Sequence, residues 1–131
     1  MLQPENRLTK VRDFNLLMKQ GRWLKGDFID LRYSHLEKIS EEFLPKRIEP
    51  SEFRKQLKIA FTVGLKVDKR AVVRNRLKRQ LREVVRLLVK EHAIRTGNYI
   101  LFVARKEMIG KSYEAIQHEV VRLLSLARVI R

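Results

Sequence analysis

The feature that most constrains the fold is a long amphipathic segment over residues 70–92. At 100° per residue, four apolar side chains lie within about 40° of Leu77 on a helical projection. A second group, on the opposite side, spans about 60° and is rich in arginine. The segment predicts one long helix, ended by Thr96 and Gly97, that buries one stripe and presents guanidinium groups outward. The apolar group is Val73, Leu81, Val84 and Leu88, and the polar group is Asn75, Arg79, Arg82 and Arg86.

Three other segments have the patterns of β-strands. Residues 28–33 and 58–63 alternate between two faces, as half-buried strands do. Residues 98–104 are apolar almost throughout, which is typical of a strand buried on both faces, so we expect them at the centre of the sheet. The first strand is predicted to point Ile29, Leu31 and Tyr33 to one face and Phe28, Asp30 and Arg32 to the other.

Two further helices are predicted near the ends of the chain. Residues 10–20 carry apolar side chains at helical spacing, Thr9 can cap the start, and Gly21 follows the end. Ser112 can cap the last helix, and the negative charge of Glu114 in its first turn interacts favourably with the helix dipole. The predicted apolar stripes are Val11, Phe14, Leu17 and Met18 in the first helix and Ile116, Val120, Leu123 and Leu124 in the last.

These elements predict a single domain over residues 1–131. A chain of 131 residues is long enough for one hydrophobic core, and no Gly-rich or Ser-rich linker divides it. The order of elements is helix, strand, long connection, strand, helix, strand, helix. We therefore expect a mixed α/β (α+β) sandwich in which helices pack on a small sheet.

The charge balance indicates a nucleic-acid partner. Thirty Lys and Arg residues stand against fifteen Asp and Glu, a formal net charge of +15. Such an excess raises self-repulsion in the compact state unless a polyanion relieves it. The connection over residues 34–57 is instead polar and holds five glutamates and two prolines. We expect it to be a long hairpin connection that lies away from any RNA.

Composition also limits the compartment and the classes of site. The chain has no cysteine, which excludes disulfides and Cys-ligated zinc. Residues 1–10 lack the apolar stretch of a signal peptide, and no apolar run approaches the roughly 18 residues of a membrane span. We expect a soluble, cytoplasmic protein with no membrane partner.

The strongest candidate for phosphate binding is the segment 66–86, with nine basic and two acidic residues. Arginine on a rigid helix makes charge-assisted bonds to phosphate, and a helix start adds unpaired N–H groups. The alternative is a solvated helix face with intrahelical ion pairs, which two acids are too few to supply. Asn75 both donates and accepts, which suits a base edge or a ribose hydroxyl. The candidate RNA-binding residues are Lys66, Lys69, Arg70, Arg74, Asn75, Arg76, Lys78, Arg79, Arg82 and Arg86.

Two other functions fit the composition. A ribosomal protein or RNA chaperone would carry a similar charge without a role in a hydrolytic complex. A DNA-binding module would need base-reading side chains on a recognition helix, and arginine density here exceeds that character. Composition cannot distinguish these functions from a role in a hydrolytic complex; a motif of specific residues in a fixed order is needed.

Residues 71–83 resemble the signature of the bacterial ribonuclease P protein, an Arg-Asn-Arg core followed by Lys-Arg and Arg-Glu. The resemblance covers nearly the whole chain except residues 34–57. Gly64, Leu65 and Lys69 depart from the family pattern without touching that core. The outer matches are Asn6-Arg7-Leu8, Asp13-Phe14, Gly21, Phe61-Thr62-Val63 and Gly97-Asn98.

The resemblance implies a two-layer α/β sandwich like domain 2 of ribosomal protein S5, with a left-handed βαβ crossover through the Arg-rich helix. It implies an RNA subunit that, with Mg²⁺, hydrolyses the phosphodiester bond of precursor tRNA. This protein would bind that RNA and, in a cleft, the single-stranded 5′ leader. Its own residues, with three histidines and no carboxylate cluster, point to no catalytic role and no cofactor on the protein.

Stacking on a single strand requires aromatic side chains beside basic ones. Phe14 matches the family's cleft position best, and Phe28 and Tyr33 are further candidates for the leader-binding cleft. Core packing is the alternative for each, and strand alternation favours it for Tyr33 and Phe61. Trp23 either stacks on RNA or covers the edge of the sheet.

Overall fold

The computed structural model describes residues 2–131 and contains four helices and four strands, along with short 3₁₀ turns. The long helix and the last helix begin and end within a few residues of their predicted bounds. The elements are α1 (Val11–Gln20), β1 (Arg22–Lys25), β2 (Ile29–His35), α2 (Pro50–Phe53), β3 (Leu57–Val63), α3 (Ala71–Lys90), β4 (Asn98–Ala104) and α4 (Tyr113–Leu126). Within these residues no helix combines the length and the apolar character that a bilayer span requires.

The strands form one mixed sheet in the order β1-β2-β4-β3. β4 is antiparallel to β2 and parallel to β3, and α3 connects the two parallel strands. The predicted mixed α/β fold with a βαβ unit is therefore confirmed. The central position of β4 is confirmed as well, since six of its seven residues are buried.

Two details of the predicted topology are wrong. β1 was not predicted, because its four residues lie at an edge, are mostly exposed and carry no alternating apolar pattern. The predicted hairpin over residues 34–57 does not exist, because β4 lies between β2 and β3. That connection passes across the sheet end instead and contains α2, whose Phe53 is fully buried against Tyr99 at a ring distance of 5.7 Å.

Helices pack on both faces of the sheet. On one face, α3 and α4 bury their apolar stripes against Ile29, Ile59 and Phe102. The predicted stripes of both helices are confirmed, and Ser112 caps α4 by accepting from Ala115 N at 3.1 Å. On the other face, a smaller cluster joins α1 to Tyr99, Leu101 and the 34–57 connection.

The predicted buried face of α1 is confirmed for Leu17 and in part for Phe14, which is half-buried, but it is wrong for Val11 and Met18. The helix buries Leu16, Leu17 and the fully enclosed Asp13, whereas Val11 is 73% exposed and Met18 48% exposed. An apolar projection could not find this face, because it contains a carboxylate that only tertiary partners make tolerable. Thr9 is not the cap either, since Lys10 occupies the N-cap position and its side chain makes no capping bond.

Arg32 fixes the end of α1 on the sheet. Its side chain is nearly buried and donates to the carbonyl oxygens of Leu17, at 3.2 Å, and Met18. These carbonyls belong to the last turn of the helix, where a cation is favourable. The guanidinium also lies 5.3 Å from the ring centroid of the exposed Trp23, which belongs to the edge strand β1.

Glu119 of α4 is a second buried polar centre. One carboxylate oxygen accepts from the backbone N–H groups of Asp27 and Phe28, and the other accepts from Arg122 at 2.7 Å. Burial alone would raise the pKa of Glu119, but hydrogen bonds from Arg122 and these N–H groups outweigh it and lower the pKa. The carboxylate therefore holds the turn that leads into β2.

We expect Glu119→Gln to cost about 1–3 kcal/mol of unfolding free energy at neutral pH, because the amide cannot accept all of these bonds. The lowered pKa means that the carboxylate stabilises the fold above its usual pKa of about 4.3 and loses this effect as the pH falls. The difference between the two proteins should therefore shrink below about pH 4. Urea unfolding followed from pH 7 to pH 3 measures it, and a constant difference would contradict this role.

Candidate nucleic-acid interface

The outward side of α3 carries an array of cations on a rigid support. Leu77 and Leu81 are buried, so the rotation of the helix is set and the opposite side faces solvent. The structure brings the predicted residues together along this helix and the loop before it. Exposed are Lys66, Lys69, Arg70, Asn75, Arg76 and Arg79, and half-buried are Arg74, Lys78, Arg82 and Arg86.

Only some of these cations have partners inside the protein. Arg70 makes a two-bond ion pair with Asp68, and Arg86 pairs with Glu83 at 2.7 Å. Arg74 donates to backbone carbonyl oxygens. The side chains of the other basic residues in the array make no hydrogen bond or ion pair within residues 2–131. Without internal partners, their charge is available to a polyanion. Those residues are Lys66, Lys69, Arg76, Lys78, Arg79 and Arg82.

The loop before α3 is fixed by its own charges. Asp68 accepts from the backbone N–H of Arg70 at 2.8 Å, and Arg74 donates to the carbonyl oxygens of Asp68 and Lys69. The hydrogen bonds from Arg70 lower the pKa of Asp68 to about 2, so the pair stays ionised at physiological pH. No acidic residue lies in the first turn of α3, and the side chain of its N-cap residue Arg70 bonds to Asp68 rather than capping the helix, which leaves the N–H groups of the helix start open to phosphate.

Two grooves flank the array. On one side, a groove of about 320 Å³ includes Phe14 of α1, Ala60 and Phe61 of the edge strand β3, and Lys78 and Arg82 of α3. We call it the Phe14 groove. On the other side, Arg76 and Arg79 border a groove of about 380 Å³ with Tyr113 of α4.

The three predicted leader-binding aromatics do not share one cleft. Phe14 is half-buried in the Phe14 groove, beside two cations of α3. Phe28 is only 8% exposed and belongs to the core under α3 and α4, with the Lys111 ammonium 5.2 Å above its ring. It precedes β2 in a bend held by Glu119, so strand alternation does not apply to it. Tyr33 lines a different pocket. The predicted grouping is wrong, and RNA contact by any of the three stays a prediction.

Sequence reasoning missed the polar network that positions α1 and therefore Phe14. Asp13 Oδ1 accepts from the Tyr99 hydroxyl at 3.2 Å, and its Oδ2 lies 3.5 Å from Lys58 Nζ. Burial raises the pKa of Tyr99, with Asp13 adding to the effect, so its hydroxyl remains a donor. The sequence did contain one signal of this network: Asp13 lies on the same helical face as Leu16 and Leu17, which indicates a carboxylate in the core.

We expect Tyr99→Phe to cost about 1.5–3 kcal/mol of unfolding free energy, because a buried site loses the hydroxyl that serves both Asp13 Oδ1 and, at 2.8 Å, Gln56 Oε1. Tyr113→Phe is the matched control, since that hydroxyl is exposed and should change stability by less than about 0.5 kcal/mol. Urea unfolding of both variants measures the difference. Equal stabilities would show that the Tyr99–Asp13 bond contributes little.

Among residues 2–131, no three His, Asp or Glu side chains converge in a way that could hold a metal ion.

Comparisons with known proteins give one family. The family model described as Ribonuclease P matches residues 2–128. The chain is 31% identical to the ribonuclease P protein component of a Cyanothece species, over 99% of this chain and 98% of that protein. It is 36% identical to the component from Microcystis aeruginosa, over 95% and 92%.

Solved structures share the fold. The RNase P protein of Staphylococcus aureus matches with a TM-score of 0.70 at 21% identity, over 96% of this chain and 98% of that one. The protein from Thermotoga maritima matches with a TM-score of 0.67 at 22% identity, over 92% and 96%.

Proposed function

The chain belongs to the ribonuclease P protein family, and we propose that it binds the catalytic RNA of ribonuclease P through α3 and the 5′ leader of precursor tRNA through the Phe14 groove. As a ribonuclease P protein component it is a subunit of an endoribonuclease of tRNA processing. The family membership argues against the ribosomal-protein and DNA-binding alternatives.

The observation that carries the RNA-binding proposal is the set of cations on α3 and its leading loop without internal partners. Phosphates of a folded RNA supply the missing counter-charge, and the helix holds the donors at fixed spacing. Arg74 and Arg70 have a different role, because they hold the loop before α3 through Asp68. Asn75 lies exposed among the arginines and offers a donor and an acceptor to a ribose or a base edge.

The proposed division of labour leaves the chemistry to the RNA. We assign the divalent ions, Mg²⁺ among them, to the RNA subunit, an assignment supported by the absence of any cluster of three His, Asp or Glu side chains among residues 2–131. The contribution of the protein is to lower the repulsion between two RNA molecules and to orient the leader. Reconstitution is the direct test: adding this protein to a bacterial ribonuclease P RNA should allow cleavage of precursor tRNA at low magnesium.

The leader part of the proposal is supported by the composition of the Phe14 groove. It combines two partly exposed aromatic rings, Phe14 and Phe61, with Lys78, Arg82 and Arg7, which is the pairing of stacking surface and positive charge that single strands require. Lys78 and Arg82 belong to both the array and the groove. A leader bound there would therefore run alongside the RNA-binding helix.

We expect Arg79→Ala to weaken binding to the catalytic RNA without lowering the thermal midpoint, because the side chain is exposed. The slope of log affinity against log salt should flatten by about 0.7–0.9 for one lost phosphate contact. Lys46→Ala, an exposed cation in the 34–57 connection, is the charge-matched control and should leave the slope unchanged.

A buried neighbour supplies the opposite control. Leu81→Ala should lower the free energy of unfolding by about 2–5 kcal/mol through loss of core packing. If Arg79→Ala also destabilises the fold, or leaves the salt slope as in the wild type, the assignment of the outward side is wrong.

We expect Phe14→Ala to reduce the affinity of the holoenzyme for precursor tRNA by about 1–3 kcal/mol, the range for loss of one base–aromatic stack. Affinity for mature tRNA, which has no leader, should change little. Phe14→Leu keeps the apolar volume but not the flat ring, so it should resemble the Ala variant in binding and the wild type in stability. Normal precursor binding by the Leu variant would make Phe14 a packing residue.

A further inference from the structure

A pocket of about 430 Å³ lies at the end of the sheet where α4 ends, lined by the last residues of β2 and by Leu126 to Arg128. A second pocket of about 250 Å³ adjoins it and shares His35, Lys38 and Arg128. The pockets lie at the end of the sheet where β2 ends and β3 begins. The Arg-rich start of α3 follows the other end of β3, and α3 itself is about 30 Å long. The two regions therefore lie at opposite ends of the molecule.

Four cations from four separate parts of the chain converge on these pockets: Arg22 of β1, Lys38 after β2, Arg95 before β4 and Arg128 after α4. All four are exposed, and none takes part in an ion pair among residues 2–131. Glu37 is the one acid among the lining residues. Such convergence is unfavourable for the free protein and favourable once an anion binds.

Arg128 adds an independent observation. It occupies the left-handed position just past α4, with φ of 61°, in a Schellman motif closed by bonds from Val129 N to Leu124 O and from Arg128 N to Ser125 O. Glycine is the usual residue there, because an L side chain is strained at positive φ. A strained residue whose side chain reaches both pockets is the kind of outlier that marks a functional position.

The remaining walls suit RNA. Tyr33 presents a half-buried ring beside His35, with ring centroids 5.4 Å apart. Asn98 Nδ2 donates to the carbonyls of Arg95 and Thr96, so its Oδ1 accepts from His35 Nδ1 at 2.8 Å and holds the imidazole in place. An aromatic wall among flexible cations favours a nucleotide of single-stranded or looped RNA.

We propose that this pocket binds the phosphodiester backbone of RNA as a second contact point, through Arg22, Lys38, Arg95 and Arg128, with Tyr33 beside a base. The inference rests on the proposed RNA-binding function but not on α3. Two sources of that backbone exist in the holoenzyme: the catalytic RNA and the precursor tRNA.

Arg128→Gly separates binding from stability, because it removes the guanidinium and also relieves the strained backbone. Its thermal midpoint should equal or exceed that of the wild type, while RNA affinity falls about 3-fold to 10-fold and the salt slope flattens by about 0.7–0.9. His92→Gly is the matched control, since His92 occupies the same position after α3, with φ of 55°, and lines neither pocket. Lys46→Ala controls for general loss of charge.

Two binding measurements identify the source. Weaker binding of Arg128→Gly to the catalytic RNA alone assigns the pocket to that RNA. Normal binding there, with weaker binding of precursor tRNA by the reconstituted holoenzyme, assigns it to the substrate. If both affinities equal those of His92→Gly, the proposal is overturned and Arg128 only caps α4. Arg79→Ala is measured in parallel to test the α3 interface separately. If the α3 proposal is the one that is wrong, the RNA affinity of Arg79→Ala will equal that of the wild type.

Discussion

Burial of the apolar stripe of α3 against the sheet is the constraint on which the other features depend. The stripe from Val73 to Leu88 packs over β3 and β4, the two strands that the helix connects. Because this contact sets the rotation of a rigid helix, it also decides which side chains face solvent. The core and the proposed interface are thus two sides of one helix. A substitution on the buried side is expected to lower stability, and one on the outward side is expected to lower RNA affinity.

Around this core, three buried polar side chains position the parts that an apolar core alone leaves loose. Asp13 and Arg32 tie the two ends of α1 to the sheet, and Glu119 ties the turn before β2 to α4. Each one has hydrogen-bond partners distant in sequence, and the nearby Arg12 and Arg122 also pair with Asp13 and Glu119, which makes burial of charge tolerable. Through Asp13 and Arg32, the network also determines where Phe14 lies relative to the cations of α3.

The distribution of ion pairs divides the positive charge into structural and available parts. Arg70 and Arg74 hold the loop before α3, and Arg122 supports Glu119, so their charge is partly used inside the protein. Arg86 pairs with Glu83, but the other cations of the outer side of α3 and those of the pocket near Arg128 have no such partners within residues 2–131. Net charge sets the total attraction for a polyanion, but these local differences decide where the proposed RNA contacts lie.

The sequence by itself determined the long helix, its two sides, the last helix with its Ser112 cap, the central strand and the family. These features depend on local periodicity and on a contiguous motif, and each can be recognised within one short stretch of the sequence. The connection of β2 to β3 and the edge strand β1 required the tertiary structure, since strand order depends on pairing between distant segments and short edge strands carry little pattern. The buried face of α1 required it too, because Asp13 is held there by Tyr99 and Lys58, which lie far away in sequence. For the same reason the places of Phe28 and Tyr33, and the convergence of four distant cations near Arg128, were decided by long-range packing that no local pattern encodes.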